Sequence, residues 1–336
     1  MNTLNPGTDG EGVASLLPIS ELNGNVLHGF ERARPFLLCQ YQTDVEGGVL
    51  SPAIQFDVEP RPLETPRVRY EDGVPARIEL HEPFLQYLWA IAFAMVVLDQ
   101  EVHRRAQRGV PEHPNPAVRN RLVRAAEAAF GWAFDARETT PAWRQEWPRP
   151  GRPVPGDGID YVAKANGLYV AAAVYVLLHE YAHVTLDHLW EAGDRSLEEA
   201  KAVEAEADVF AREALLDGDD GREARTRRAG VVVAHCALLF LAVESKNDRE
   251  RHGGSRLSQS RHPDLDDRLL HALGFLDPEA VGPEDHLWTM AGCALTLFLS
   301  LSERPPEIVE SETAQAWVGQ LVREVDELKE GIGGDG

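Results

Sequence analysis

The sequence predicts a mainly α-helical protein with a small β element, an α+β chain in which helices dominate. Three observations carry this. Apolar residues recur at helical spacing over long stretches, as in Ala314, Trp317, Val318, Leu321, Val322, Val325 and Leu328. The stretch Leu168–Leu178 is apolar almost throughout, the mark of a buried helix, since a surface helix shows a polar stripe. Strand signals are confined to one region, residues 36–82, with alternation of apolar and polar residues from Ile54 to Leu80.

Residues 1–30 are polar and Gly-rich and read as a loosely ordered N-terminus. Residues 31–135 follow as a β-hairpin and helices, continuous with the rest of the globular unit. Ile54, Phe56 and Val58 alternate, as do Val68 and Tyr70, and then Ala76, Ile78 and Leu80 across an Asp72-Gly73 turn. Pro75 argues that this hairpin lies at a sheet edge, because proline cannot donate to a ladder. A helix is predicted from about Pro83 to Arg108, a break at Val110–Pro114, and a second helix from Pro116 to Phe134.

Residues 136–160 form a connecting loop. Between Thr139 and Gly158 there are five prolines, three glycines and the tryptophans Trp143 and Trp147, so the segment is irregular yet anchored, and it is a candidate cover for a cleft. Residues 161–336 then read as a helical region, with a buried helix over Gly230–Glu244 and a last helix over Ser311–Glu330. No internal repeat is visible.

The chemistry is carried by one helical turn, His179-Glu180-Tyr181-Ala182-His183. Histidines at i and i+4 share a helix face, so both imidazoles can reach one metal ion. Zinc bound in this way lowers the pKa of water to about 7, and a nearby carboxylate, here Glu180, can take the proton. A five-residue pattern arises by chance on polar helix faces. Here it ends an apolar run, and ionisable groups at the end of a buried helix are costly unless paired or bound to metal.

Glu204 lies 21 residues after His183, inside the helix-forming stretch Leu197–Leu216. Residues 191–196 read as a turn, and Ser196 with Glu199 makes a capping-box signature for the second helix. Two helices joined this way can lie antiparallel, which would make Glu204 the third ligand of a His2Glu site with one position open. Asp208, one turn on, is placed to accept the other ring N–H of a ligating histidine. Glu206 points elsewhere on the helix and is the lesser candidate. A metzincin pattern would need histidine and glycine where Leu189 and Leu186 stand, and His188 is one residue short of it. His188 is therefore read either as a residue behind the ligands or as a helix-end residue near the carbonyl dipoles.

This combination, H-E-x-x-H followed by E-x-x-A-D, resembles the gluzincin branch of zinc metallopeptidases, whose fold is a helical core around the motif helix. The resemblance implies His179, His183 and Glu204 as zinc ligands, Glu180 as general base and Asp208 as support for a histidine. Ser260-Arg261-His262-Pro263 through Arg268 is similar to the H-P-x-x-x-x-R element of the HtpX and CAAX prenyl protease family. The arrangement also resembles that of the soluble ImmA/IrrE and Lit phage-exclusion peptidases. These likenesses cover roughly residues 165–275. His262 is the first candidate to stabilise an oxyanion beside the metal and Arg268 the second, with Arg268 otherwise standing behind the ligands.

Composition bounds the rest. A formal charge of -22 excludes the cationic surface that nucleic acid requires. Cys39, Cys236 and Cys293 are too few for a disulfide framework, which fits a cytoplasmic protein. No secretory signal precedes the first apolar stretch. The apolar runs Phe84–Leu98, Ala229–Val243 and Leu287–Leu301 are each 15 residues, short of the ~20 that span a bilayer. The expected activity is therefore that of a zinc-dependent endopeptidase acting on an intracellular protein, in regulation, toxin action or phage defence, with room for an activating protein partner. Two rivals stand beside it: a zinc-stabilised binding or sensing protein that cuts no bond, and a helical scaffold without metal.

Overall fold

The computed structural model describes residues 17–59, 61–103, 116–151, 160–189, 195–217, 221–243, 265–276, 286–302, 311 and 313–329. A short 3-10 turn, Pro18–Leu22, leads into α1 (Asn23–Ala33) and α2 (Pro35–Glu46). Three strands follow, β1 (Gln55–Asp57), β2 (Arg67–Glu71) and β3 (Val74–His81), then α3 (Glu82–Leu98). The remaining helices are α4 (Pro116–Ala136), α5 (Tyr161–Thr185), α6 (Leu197–Leu216), α7 (Arg222–Ala242), α8 (Leu265–Leu276), α9 (His286–Leu301) and α10 (Ala314–Lys329). The fold class is mainly α with one small sheet, as the patterning implies.

Helix α5 is central because its sequence leaves it no polar face. It packs against α1, α3, α6 and α7 and touches β2 and β3. Asp160 caps its start, accepting a hydrogen bond from the Ala163 amide at 2.8 Å. Val174, Leu177 and Leu178 on it are buried, each worth ~1.5–3 kcal/mol relative to exposure, so the turn that follows them is held on a rigid support. Helix α7 approaches it closely at Gly230, where an added Cβ would come within 2.5 Å of Ala171 Cβ.

Several expectations need correction. The first part of the region with strand signals, residues 36–46, forms helix α2 instead. Residues 18–30 are ordered: Ile19, Leu22, Val26, Leu27 and Phe30 are buried at helical spacing, which outweighs the polar, Gly-containing composition around them. The sheet order is β1-β3-β2, so β3 with Pro75 is the central strand and β2 is an edge. Pro75 is tolerated because the β2–β3 register is interrupted between Arg69 and Glu71, and β1 pairs only with Glu79–His81. The turn at Asp72-Gly73 is as expected, with Gly73 at φ 77°.

Regular α-helix ends at Leu98 rather than running toward Arg108. Residues Asp99–His103 form a π turn in which Asp99 and Glu101 are buried and Glu101 accepts from the Tyr161 hydroxyl. The connecting loop is pinned by Trp143, whose ring meets Trp89, Trp132 and Trp147 edge-on. Its described part reaches Asn166 through Gly151, at the start of α5. Asn166 is 13 residues before His179, about 20 Å along a helix, so that part does not cover the motif.

Two helices reach the length and hydropathy of a bilayer span, contrary to the count from apolar runs: Glu82–Val102 and Tyr161–Thr185, the latter 25 residues long. Their apolar windows are 89% and 72% buried among other elements of the protein.

Candidate metal centre

The end of α5 and the middle of α6 meet as the capping and turn signals imply. Ser196 Oγ accepts from the Glu199 amide while Glu199 accepts from the Ser196 amide, a complete capping box that fixes where α6 starts. Glu204 then lies on the second turn of α6, facing α5. His179 Nε2 is 3.3 Å from His183 Nε2 and 3.3 Å from Glu204 Oε2, and His183 Nε2 is 3.6 Å from Glu204 Oε1. A tetrahedral zinc with bonds of ~2.0–2.1 Å spaces its donor atoms about 3.3 Å apart. The donor set therefore fits zinc in both kind and spacing, and among the described residues it is the cluster able to hold a metal. Glu180, next to His179, is half-buried.

Behind these atoms, Asp208 Oδ1 lies 2.9 Å from His179 Nδ1 and also accepts from the Tyr175 hydroxyl at 2.9 Å. Arg268 on α8 grips the same carboxylate at both oxygens, Nε to Oδ2 and Nη2 to Oδ1, each at 2.6 Å. Its Nη1 is 3.6 Å from Glu204 Oε2. Arg268 thus holds the acidic pair from behind, and its guanidinium is engaged there rather than presented as an oxyanion donor. His262, with Ser260, Arg261 and Pro263, lies outside the described residues.

The electrostatics follow from burial and charge. Burial acts to raise Asp208, but its hydrogen bond with His179 and the charge of Arg268 hold it well below the carboxylate range. Burial acts to lower His179, yet Asp208 and Glu204 together carry it up to about 9. Burial also lowers His188, against the pull of Glu206.

Two residues in this network were not singled out from the sequence. Tyr175 lies one turn before His179 on the same face and joins Asp208 to His235, whose Nε2 is 3.1 Å from the Tyr175 oxygen. A carboxylate only accepts, so Tyr175 gives its proton to Asp208 and His235 donates to Tyr175. The available signal was an i, i+4 tyrosine in an apolar helix, and a histidine inside the apolar run of α7. The hydroxyl of Tyr181, inside the motif itself, donates to Asp44 of α2 at 2.7 Å and ties the metal-binding turn to the N-terminal helices.

A family model for Peptidase U49 matches residues 78–291, more than half of the chain. The chain belongs to the Peptidase U49 family. The matched span holds His179, Glu180, His183, Glu204, Asp208 and Arg268, together with Tyr175 and His235. A curated relative, the cell death peptidase of Escherichia coli (strain K12), is 28% identical over 165 residues, covering 48% of this chain and 53% of the relative. The chain thus spans about half the length of that relative. No solved structure matches.

Proposed function

We propose that this U49-family chain is a zinc-dependent endopeptidase that hydrolyses a peptide bond of a protein substrate. The observation that carries the reading is the convergence of His179 Nε2, His183 Nε2 and the Glu204 carboxylate at tetrahedral donor spacing on a buried, rigid support. A zinc ion held there would polarise a scissile carbonyl and acidify water. Glu180 takes a proton from the attacking water on its carboxylate and returns it to the leaving amine. Asp208, fixed by Arg268, keeps the His179 proton on Nδ1 and so leaves Nε2 free to bind.

Strand β2 is an edge of the sheet and packs on α5, and Tyr70 on it is within electrostatic reach of Asp187, just past the motif. An extended substrate adding to that edge would pass beside the motif. The name of the E. coli relative, a cell death peptidase, supports peptide-bond cleavage, and our reading extends it to cleavage of an intracellular protein in regulation, toxin action or phage defence. The burial of the two span-length helices supports their reading as core helices rather than membrane spans.

The test pairs zinc content with cellular cleavage. Purified, undialysed protein is expected to hold about one zinc per chain, as is Glu180→Gln. Cells expressing the wild type are expected to accumulate new protein N-termini that are absent with Glu180→Gln, a loss of at least ~100-fold in cleavage. The same new termini in both strains, or wild-type protein without zinc, would overturn the proposal. Function retained by Glu180→Gln without new termini would favour the zinc-stabilised binding protein.

A further inference from the structure

The two histidines of the motif differ in what holds their outer nitrogen. His179 has Asp208. For His183 the partner comes from the chain reversal after α5. The helix ends at Thr185, Asp187 adopts φ 61°, and the His188 amide donates to the His183 carbonyl at 3.0 Å. Arg195 donates to the His188 carbonyl at 2.7 Å and holds the reversal in place. The His188 ring is thereby folded back, 6% exposed, with Nδ1 3.2 Å from His183 Nδ1 and Nε2 3.3 Å from Glu206 Oε2.

We propose that His188 is a positioning residue for His183, working as the middle of a His183–His188–Glu206 relay. The inference rests on the zinc reading above and deepens it. Two ring nitrogens 3.2 Å apart share one proton. His183 turns Nε2 toward His179 and Glu204, so as a neutral ligand it carries its proton on Nδ1 and donates to His188 Nδ1. His188 then carries its own proton on Nε2 and donates it to Glu206, a carboxylate that only accepts. Each donor meets an acceptor. The reverse assignment would put the His183 proton on Nε2, where a metal must bind. The relay therefore selects the metal-competent tautomer and fixes the ring, as a carboxylate does behind many ligating histidines.

The experiment measures zinc dissociation constants by chelator competition, alongside thermal unfolding of each metal-free protein. His188→Leu fills the space without an acceptor and is expected to bind zinc about 10–100-fold more weakly. His188→Gln can accept the His183 proton through its side-chain oxygen and is expected to recover most of the affinity. A plain packing role would move the unfolding temperatures and leave zinc binding equal in both variants. Glu206→Ala, at a side chain 62% exposed, is safe for folding and is expected to weaken zinc by less than His188→Leu, because solvent screens an exposed carboxylate. Zinc affinity in both His188→Leu and Glu206→Ala within experimental error of a tightly binding wild type overturns the relay alone. A wild type that binds no zinc overturns the zinc reading, and the relay with it.

Discussion

Asp208 shows how one side chain can be both costly and necessary. It is buried, and burial alone disfavours its charge. It stays ionised because Arg268 binds both of its oxygens and His179 and Tyr175 share one of them. Removing one partner of such a pair leaves an uncompensated buried charge, which costs ~3–5 kcal/mol. Arg268→Met keeps much of the volume and removes the charge. Metal-free Arg268→Met is therefore expected to lose ~3–5 kcal/mol in urea unfolding, with an unchanged dependence on urea. A loss under about 1 kcal/mol would mean that the guanidinium is not what holds the carboxylate. At this scale the motif residues were legible because helix spacing alone brings His179 to His183, and Glu204 to Asp208. Tyr175 and His235 were not, because a tyrosine or histidine in an apolar run reads as core until its partner on another helix is known.

Helices α5 and α7 cross where Gly230 meets Ala171 and Ala172, small residues two turns before His179. A Cβ at Gly230 would lie 2.5 Å from Ala171 Cβ, 2.9 Å from the Ala172 nitrogen and 3.0 Å from the Ala171 carbonyl carbon. Two of these are backbone atoms, which cannot swing away. Gly→Ala within a helix would favour folding by up to ~1 kcal/mol through propensity, but overpacking a tight contact costs ~1–3 kcal/mol. Gly230→Ala is thus expected to destabilise the protein by ~1–2 kcal/mol, seen as a lower unfolding temperature. Stabilisation would show that the two helices part easily. The α6 capping box was readable from Ser196 and Glu199 because its partners are three residues apart. The 3-10 turn and α1 were obscured by Asn23, Gly24 and Asn25 in the first turn of α1, although the apolar spacing from Ile19 to Phe30 was present. The order of the strands was not readable, since β1 reaches β3 across β2 in sequence and alternation says nothing about neighbours.

For the whole molecule, buried His235 makes stability depend on pH in a direction opposite to the relief of repulsion expected for a chain of charge -22 as it is acidified. His235 is 2% exposed on α7, and its Nδ1 has no hydrogen-bond partner among the described residues. Asp208 favours its protonation, while Arg268, His179 and Arg212 oppose it, and burial, the largest influence, brings it down to about 4. The unfolded chain holds the same group near ~6.5. The native state therefore keeps His235 neutral over a range in which the unfolded state takes up a proton. Its stabilising effect is complete above pH ~6.5 and is lost as the pH falls toward 4. Burial lowers His81 in the same sense. Because other groups titrate too, the difference between wild type and His235→Leu isolates this one. From pH 7 to pH 5 the metal-free wild type is expected to lose about 2 kcal/mol more than His235→Leu in urea unfolding. Parallel losses in the two proteins would mean that His235 accepts a proton inside the fold. The ring protonated on both nitrogens would still donate from Nε2 to Tyr175, and its added proton would sit on Nδ1, which has no hydrogen-bond partner among the described residues.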